Sequence, residues 1–348
     1  MSSGKMNYED LDPKILQAFP QGSKVISVAR HGTTRWSLGL KVDVEIGYEK
    51  ACFFLKIIER EEWTPMAQAE FDSQTALAAI IPDNVVVPLA WGIFENATKA
   101  FLVTRFRSLQ ARRLSPPDLV QVMKRLHQNS VSPTGKFGFH TTTYWGPPAM
   151  RNDWTSSWEE YYARQFRSDV AYMQTVHGED VELQQLTDQL VEKVIARLLR
   201  PLQTDGRSIK PSLCHGDLWD GNVQYDAATS QLILFDSCAF YGHNEIDLQS
   251  MGDTRHILGM EFVQMYKSEV GASEPREDFY DRHELYGIRA DLIVAAICPE
   301  EAHLIAKAKT TMKRLLKKFP DGYDGFIHWR AAQHRPDVDC VKSSFATS

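Results

Sequence analysis

Between Leu213 and Asp236 the chain spaces three oxygen-bearing side chains in a way that few folds can use. Asp217 follows a His-Gly turn, Asn222 comes five residues later, and Asp236 closes the run Leu232-Ile-Leu-Phe-Asp236. Residues 223–225 and 232–235 read as short strands joined by a turn at 226–230. Such a hairpin brings Asn222 and Asp236 together and leaves Asp217 at its mouth. Hard oxygen ligands in small number suit Mg²⁺ shared with nucleotide phosphates. A free carboxylate beside them suits orientation or deprotonation of an attacking hydroxyl. The layout is that of phosphoryl transfer, with Asp217 as base and Asn222 and Asp236 as Mg²⁺ ligands. A loop rich in Asp and Gly that only makes turns is the alternative. The strand-terminal Asp fourteen residues beyond the Asn argues against it.

A phosphoryl-transfer loop needs a nucleotide cradle, and the N-terminal third offers one. Residues 25–30, 41–46, 52–57, 85–88 and 100–104 read as strands, and 62–79 has helical spacing. Gly32 and Gly39 are expected to break the first two strands. Lys56, on the third, is placed to reach the α- and β-phosphates of ATP, and Glu70 on the following helix to pair with it. Neither a GxGxxG nor a GxxxxGK sequence occurs. The phosphate-covering loop is therefore assigned to residues 29–34, where Gly32 permits close approach and Thr33 and Thr34 offer donors. Residues 101–106, with Thr104, Arg105 and Phe106, would meet the adenine through their backbone.

Beyond the polar stretch ending at Pro116-Pro117 the pattern turns helical. One amphipathic stripe includes Leu119, Val122, Met123 and Leu126, a second helix spans 158–173, a long third 181–202, and a last one 302–319. Lys307, Lys309, Lys313, Lys317 and Lys318 read as the solvated face of that last helix. The tail beyond about Ala331 reads as loosely ordered. The division expected is a nucleotide-binding lobe over 1–107 and a mainly helical lobe over 108–348. The fold class is α+β: a small five-stranded antiparallel sheet with one helix, then a helical lobe, with ATP in the cleft between them.

Composition excludes several classes. A chain of 348 residues with 43% hydrophobic and 24% charged residues can bury a large core. Its net charge of −6 argues against a general nucleic-acid binder. No apolar run approaches the roughly 20 residues of a membrane span, and the acidic N-terminal stretch lacks a signal-peptide core. Five scattered cysteines, Cys340 among them, form no CxxC pair, so neither a zinc site nor a disulfide framework is expected. The expectation is a cytoplasmic, monomeric protein with no nucleic-acid or membrane partner. The sequon at Asn96 has no secretory context.

The block His215-Gly-Asp-Leu-Trp-Asp-Gly-Asn222 resembles the HGDLWxGN sequence of the fructosamine kinase (ketosamine 3-kinase) family, in the aminoglycoside-phosphotransferase branch of the protein-kinase-like fold. The run Phe235-Asp-Ser-Cys-Ala-Phe-Tyr-Gly-His243, the pair Leu126-His127, Lys136-Phe-Gly-Phe-His140 and the stretch from Trp154 to Arg167 resemble further family segments. The resemblance covers about residues 20–320. Departures are the absence of Cys from 25–34, a different phosphate loop at 29–34, and Ser237-Cys238 where Pro-Ala is usual.

The resemblance implies a two-lobe kinase using ATP and Mg²⁺ on the 3-hydroxyl of ketosamines, ribulosamine first and fructosamine second, on glycated proteins or small amines. Loss of the 3-phosphate then frees the amine. The block's Trp219 is assigned to the sugar or its linker, with His215 and His243 grouped near the substrate. His215, His243 and Asp247 are also expected to brace the loop. His127 and His140 are expected to pack or cap, and Trp154, Trp158 and Tyr162 to lie in the core. Two other readings are a small-molecule kinase of choline or aminoglycoside type and a non-catalytic pseudokinase. Trp219 and the Phe-Tyr-Gly-His run argue against the first, and the intact Lys56, Asp217, Asn222 and Asp236 against the second.

Overall fold

Apolar side chains of the chain collect into two main cores, and the division explains the architecture. A computed structural model describes residues 11–333. The smaller core lies between helix α1 (Pro13–Ala18) and a sheet formed by β1 (Ser23–Thr33), β2 (Ser37–Ile46), β3 (Glu49–Ile58), β4 (Pro88–Ile93) and β5 (Ala100–Arg105), with α2 (Pro65–Ala78) between β3 and β4. Alternating Leu38, Leu40, Val42 and Val44 give β2 its buried face. The sheet is antiparallel throughout, in the order β1-β2-β3-β5-β4.

The larger core is helical. After the two-residue strand β6 (Leu109–Gln110) come α3 (Pro116–Asn129), α4 (Trp158–His177), α5 (Val181–Gln189), a π-helical turn (Leu190–Ile195) and α6 (Ala196–Leu199). Four short strands follow: β7 (Ser212–Cys214), β8 (Val223–Asp226), β9 (Leu232–Leu234) and β10 (Phe240–Gly242). The chain closes with α7 (Met260–Glu269), α8 (Phe279–Ile297), α9 (His303–Lys318) and α10 (Gly322–Gln333). Strand β8 pairs with both β6 and β9, and β7 with β10. The result is a two-lobe α+β kinase-like fold. Among the described residues no helix is long and apolar enough to cross a membrane.

Several elements differ from the sequence reading. The fourth strand does not occupy 85–88. Val85 is buried in the large core and makes a single parallel bridge to Leu234, so β4 begins only at Pro88. Leu77 and Ile81 join that same core, so its packing reaches well before residue 107. Gly39 does not break β2. It lies inside the strand, where a Cβ would come 3.0 Å from the Phe54 ring and from the His31 carbonyl oxygen. The single helix over 181–202 is interrupted by the π turn and ends in a 3₁₀ segment, Arg200–Gln203, entered through Pro201.

Helix α9 is followed by α10, and its lysines are not simply solvated. Lys307 bonds Asp253 and Asp291, Lys309 pairs with Asp180 and Glu182, Lys313 with Glu182, and Lys318 with Asp281. The expectations for the acidic N-terminus and Cys340 fall outside the described residues, as does most of the C-terminal tail.

Candidate active site

Strand β7 delivers the chain into the His215-Gly216-Asp217 turn, and Asp247 holds that turn in place. Asp247 Oδ2 accepts from the His215 amide at 2.8 Å and from His127 Nε2 at 2.9 Å, while Oδ1 accepts from the Gly216 amide at 2.9 Å. Burial would raise the Asp247 carboxyl, but the His127 hydrogen bond and charge and the backbone donors outweigh it and hold it low. Gly216 sits at φ +85°, and a Cβ there would overlap the Cys238 carbonyl oxygen. His215 is fully buried. Its Nε2 donates to the Phe235 carbonyl at 3.1 Å, and its Nδ1 accepts from the Asp217 amide.

Two assignments are corrected here. His215 fastens the loop to the end of β9 from beneath and does not face the cleft. His243 is also fully buried, between Tyr286 Oη at 2.9 Å and Ser273 Oγ at 2.8 Å, and burial lowers it to about 4. The bracing role expected for His215, His243 and Asp247 is the one their contacts describe, and His127, expected to pack or cap, is buried and joins them through Asp247 and Tyr266. Trp158 and Tyr162 lie in the core. Trp154 is half-buried beside Tyr241. His140 is exposed near Asp72 and packs against the Phe139 ring, with centroids 4.3 Å apart.

The β8–β9 hairpin brings Asn222, Asp236 and Asp217 together. Asn222 Nδ2 donates to Asp217 Oδ2 and to the Asp217 carbonyl, each at 2.9 Å, and more weakly to the Asp236 carbonyl at 3.4 Å. With the amide nitrogen committed to three oxygens, Asn222 Oδ1 is the atom left to accept from elsewhere. Asp236 adopts φ +58°, a left-handed conformation that aspartate tolerates better than most residues. Its side chain is 44% exposed toward the cleft. An amide oxygen beside an accessible carboxylate is a hard donor pair that fits Mg²⁺.

Lys56 reaches the same point from the other lobe. Its Nζ lies 2.6 Å from Glu70 Oε2 and 2.7 Å from Asp236 Oδ1. Burial would lower the ammonium, but the Asp236 and Glu70 carboxylates outweigh it and keep it charged. Burial and the Asp236 charge push Glu70 up against the pull of Lys56. Asp236 is held low, because Lys56 more than offsets its burial. Asp217 has no such cation in contact. Burial and the negative charge of Asp236 push it up to about 8, against hydrogen bonds from Asn222 and Trp145. Without a metal such a carboxyl keeps its proton at neutral pH, and a divalent cation held beside it by Asn222 and Asp236 would lower it into the range of a base.

A cavity of ≈ 330 Å³ opens between the lobes. Gly32, Thr33, Thr34, Lys56, Glu70, Thr104, Arg105, Phe106 and Asp236 all line it. Gly32, at φ +108°, lies in the irregular stretch of β1 where the register shifts between Arg30 and Thr33. Asp217 and Asn222 are not among the lining residues and connect to the cavity through Asp236. The Trp219 ring covers Gly221, a lining residue, and tilts against His256 with centroids 5.4 Å apart. Sequence reasoning missed Trp145 and Arg289. The Arg289 guanidinium sits 5.0 Å from the Trp145 ring and is paired with Asp169 at 2.6 Å. No local spacing links these residues to Asp217, since they come from a loop and from α8.

A β-sheet lobe carrying a buried Lys–Glu pair, opposed to a helical lobe carrying Asp, Asn and Asp, defines a phosphotransferase of the protein-kinase-like class. The fructosamine kinase family model matches residues 39–318, and the chain belongs to that family. Ketosamine-3-kinase of Mus musculus is 32% identical over 225 residues, covering 59% of this chain and 70% of the mouse protein. A chloroplastic protein-ribulosamine 3-kinase of Oryza sativa is 27% identical over 59% of this chain and 56% of its own length. Among solved structures, a protein of Thermobifida fusca provisionally assigned as a fructosamine-3-kinase aligns over 89% of this chain and 100% of its own, with TM-score 0.67 and 18% identity. An aminoglycoside phosphotransferase in complex with AMP-PNP and hygromycin B aligns over 84% of this chain and 94% of its own, with TM-score 0.56 and 14% identity. These two support the fold.

Proposed function

We propose that this chain is an ATP- and Mg²⁺-dependent kinase for the 3-hydroxyl of ketosamines, ribulosamine first, carried on glycated proteins or small amines. The observation behind the reading is the unbroken run of contacts from Glu70 through Lys56, Asp236 and Asn222 to Asp217, from the nucleotide cavity to a proton-accepting carboxylate. In this reading residues 1–107 form the nucleotide lobe and 108–348 the catalytic and acceptor lobe. Thr104, Arg105 and Phe106 meet the adenine, and Gly32, Thr33 and Thr34 cover the phosphates. Lys56, aimed by Glu70, neutralises phosphate charge. Asn222 Oδ1 and the Asp236 carboxylate hold Mg²⁺, which supplies charge neutralisation at the phosphates when bound.

Asp217 aims the acceptor hydroxyl and takes its proton. A new bond joins the 3-oxygen to the γ-phosphorus, the bridging oxygen–γ-phosphorus bond breaks, and ADP leaves. Trp219 is assigned to the acceptor side of the loop. The test is mass spectrometry of ribated and glycated lysine after incubation with ATP and Mg²⁺. A gain of one phosphoryl group at O3 supports the reading. Phosphorylation of choline or an aminoglycoside in its place, or of no acceptor, overturns it.

A further inference from the structure

The tip of the β1–β2 hairpin does more than cover the nucleotide cavity. His31 to Thr34 line that cavity, and the next two residues leave it for the other lobe. Thr34 Oγ1 accepts from the Ser37 amide at 3.1 Å and the Trp36 amide at 3.2 Å, which fixes the turn. Arg35 forms an ion pair with Glu300, in the 3₁₀ segment Pro299–Glu301 that follows α8. The Trp36 ring lies edge-on to Trp63, with centroids 5.8 Å apart. Its other neighbour is Gly146, at φ +65°, where a Cβ would stand 3.3 Å from the Trp36 ring and 3.5 Å from Ile297. Gly146 directly follows Trp145, whose side chain acts on Asp217 to hold its carboxyl down against burial. The hairpin tip is thereby seated on the loop that carries a neighbour of the proposed base. Trp36 remains half-buried, with part of its surface open.

We propose that Trp36, seated by the Arg35–Glu300 ion pair, is a specificity-determining wall of the acceptor site on the N-terminal side of the cleft. Two features of the acceptor suit an indole there. The sugar carbons offer C–H surface, and the adjoining secondary amine is cationic, a charge that aromatic faces attract. Because Thr33 and Thr34 cover the nucleotide while Arg35 and Trp36 face the other lobe, one hairpin serves both sites. The proposal rests on the ketosamine-kinase reading.

The test is steady-state kinetics of the full chain with ribated lysine as acceptor, measuring KM for acceptor and for ATP separately. Trp36→Ala is expected to raise acceptor KM about three- to tenfold, the range of an aromatic–cation contact, and to leave ATP KM within about twofold. Arg35→Glu, which sets two acids together, should raise acceptor KM about two- to fivefold, as expected for an exposed pair. The double swap Arg35→Glu with Glu300→Arg should restore it. Unchanged acceptor KM in Trp36→Ala overturns the wall. Equal rises in both KM values overturn it too, because they mark a general role in hairpin structure. A double swap no better than Arg35→Glu alone overturns the seating pair. Wild-type chain that fails to phosphorylate ribated lysine overturns the underlying reading, which the wild-type control reports separately.

Discussion

Lys56 Nζ lies 2.7 Å from Asp236 Oδ1, so the cationic group of the sheet lobe is bonded directly to the strand-terminal acid of the helical lobe. The pair joins residues 180 positions apart in sequence, and both residues line the cavity between the lobes. Removing the lysine therefore acts on both lobes.

Lys56→Ala should raise ATP KM and lower kcat/KM for ATP by at least about tenfold, the order expected for losing a charge-assisted contact in a partly buried site. Glu70 and Asp236 then face each other without a cation, so the ATP-free protein should also melt a few degrees lower. Steady-state kinetics at limiting ATP and a thermal melt check both. Near-normal turnover at limiting ATP would mean that another group holds the phosphates.

Asp217→Asn should lower kcat by about 10²–10⁴-fold, the usual worth of general-base assistance. Nucleotide affinity should change little, since Lys56, Asn222 and Asp236 remain. The melting temperature of the metal-free protein at pH 7 should not fall. The Asp217 carboxyl is raised to about 8 when folded, against about 4 for an unperturbed Asp. Between those values the folded state binds the extra proton, and stability drops as pH rises. The amide removes that cost. Single-turnover phosphorylation, calorimetric nucleotide titration and thermal melts separate these effects. Retention of more than about a tenth of kcat would remove Asp217 from the role of base.

His243 predicts an acid limb in stability. Burial lowers it to about 4, so between roughly pH 6.5 and 4 the unfolded chain takes a proton that the folded chain refuses. Its contribution is intact above the unfolded value and is lost as pH falls, by on the order of 3 kcal/mol at the acid end. Urea melts across that window, compared with His243→Gln, check it. The variant should be less stable at neutral pH and show a shallower loss. Parallel slopes for the two proteins would remove His243 as the cause.

Gly216→Ala should abolish turnover and destabilise the fold by roughly 2–4 kcal/mol, through an overlap with the Cys238 carbonyl and a strained positive φ. Denaturant melts measure the loss. A stable, active variant would show that the loop has room to shift.

What could be read from the sequence was whatever rests on spacing along one segment. Asp217, Asn222 and Asp236 are held by a single hairpin, so their separations in sequence become separations in space. Lys56 and Glu70 sit on consecutive elements, and five strands with one helix follow from short-range apolar pattern. Contacts between distant segments left no such trace. The Arg289–Trp145 contact and the approach of Trp36 to Gly146 exist only after the helical lobe has packed. His243 adjoins the same motif as Tyr241, yet packing turned it toward Tyr286 and Ser273. Val85 has the composition of a strand, but its burial against β9 decided otherwise.

Helix α2 has a mechanical consequence for the kinase fold. Its first turn is tied to the sheet through Ala67, packed with Ile58 and Ala100, whereas Leu77 near its end is embedded in the helical lobe. Glu70 lies between these two anchors. The helix thus works as a lever with one end in each body, and any separation of the lobes must tilt it. Because Glu70 holds Lys56, that tilt would draw the ammonium out of line with Asp236 before the cavity had opened far. The alignment of Lys56 with Asp236 is therefore coupled to the closure of the molecule.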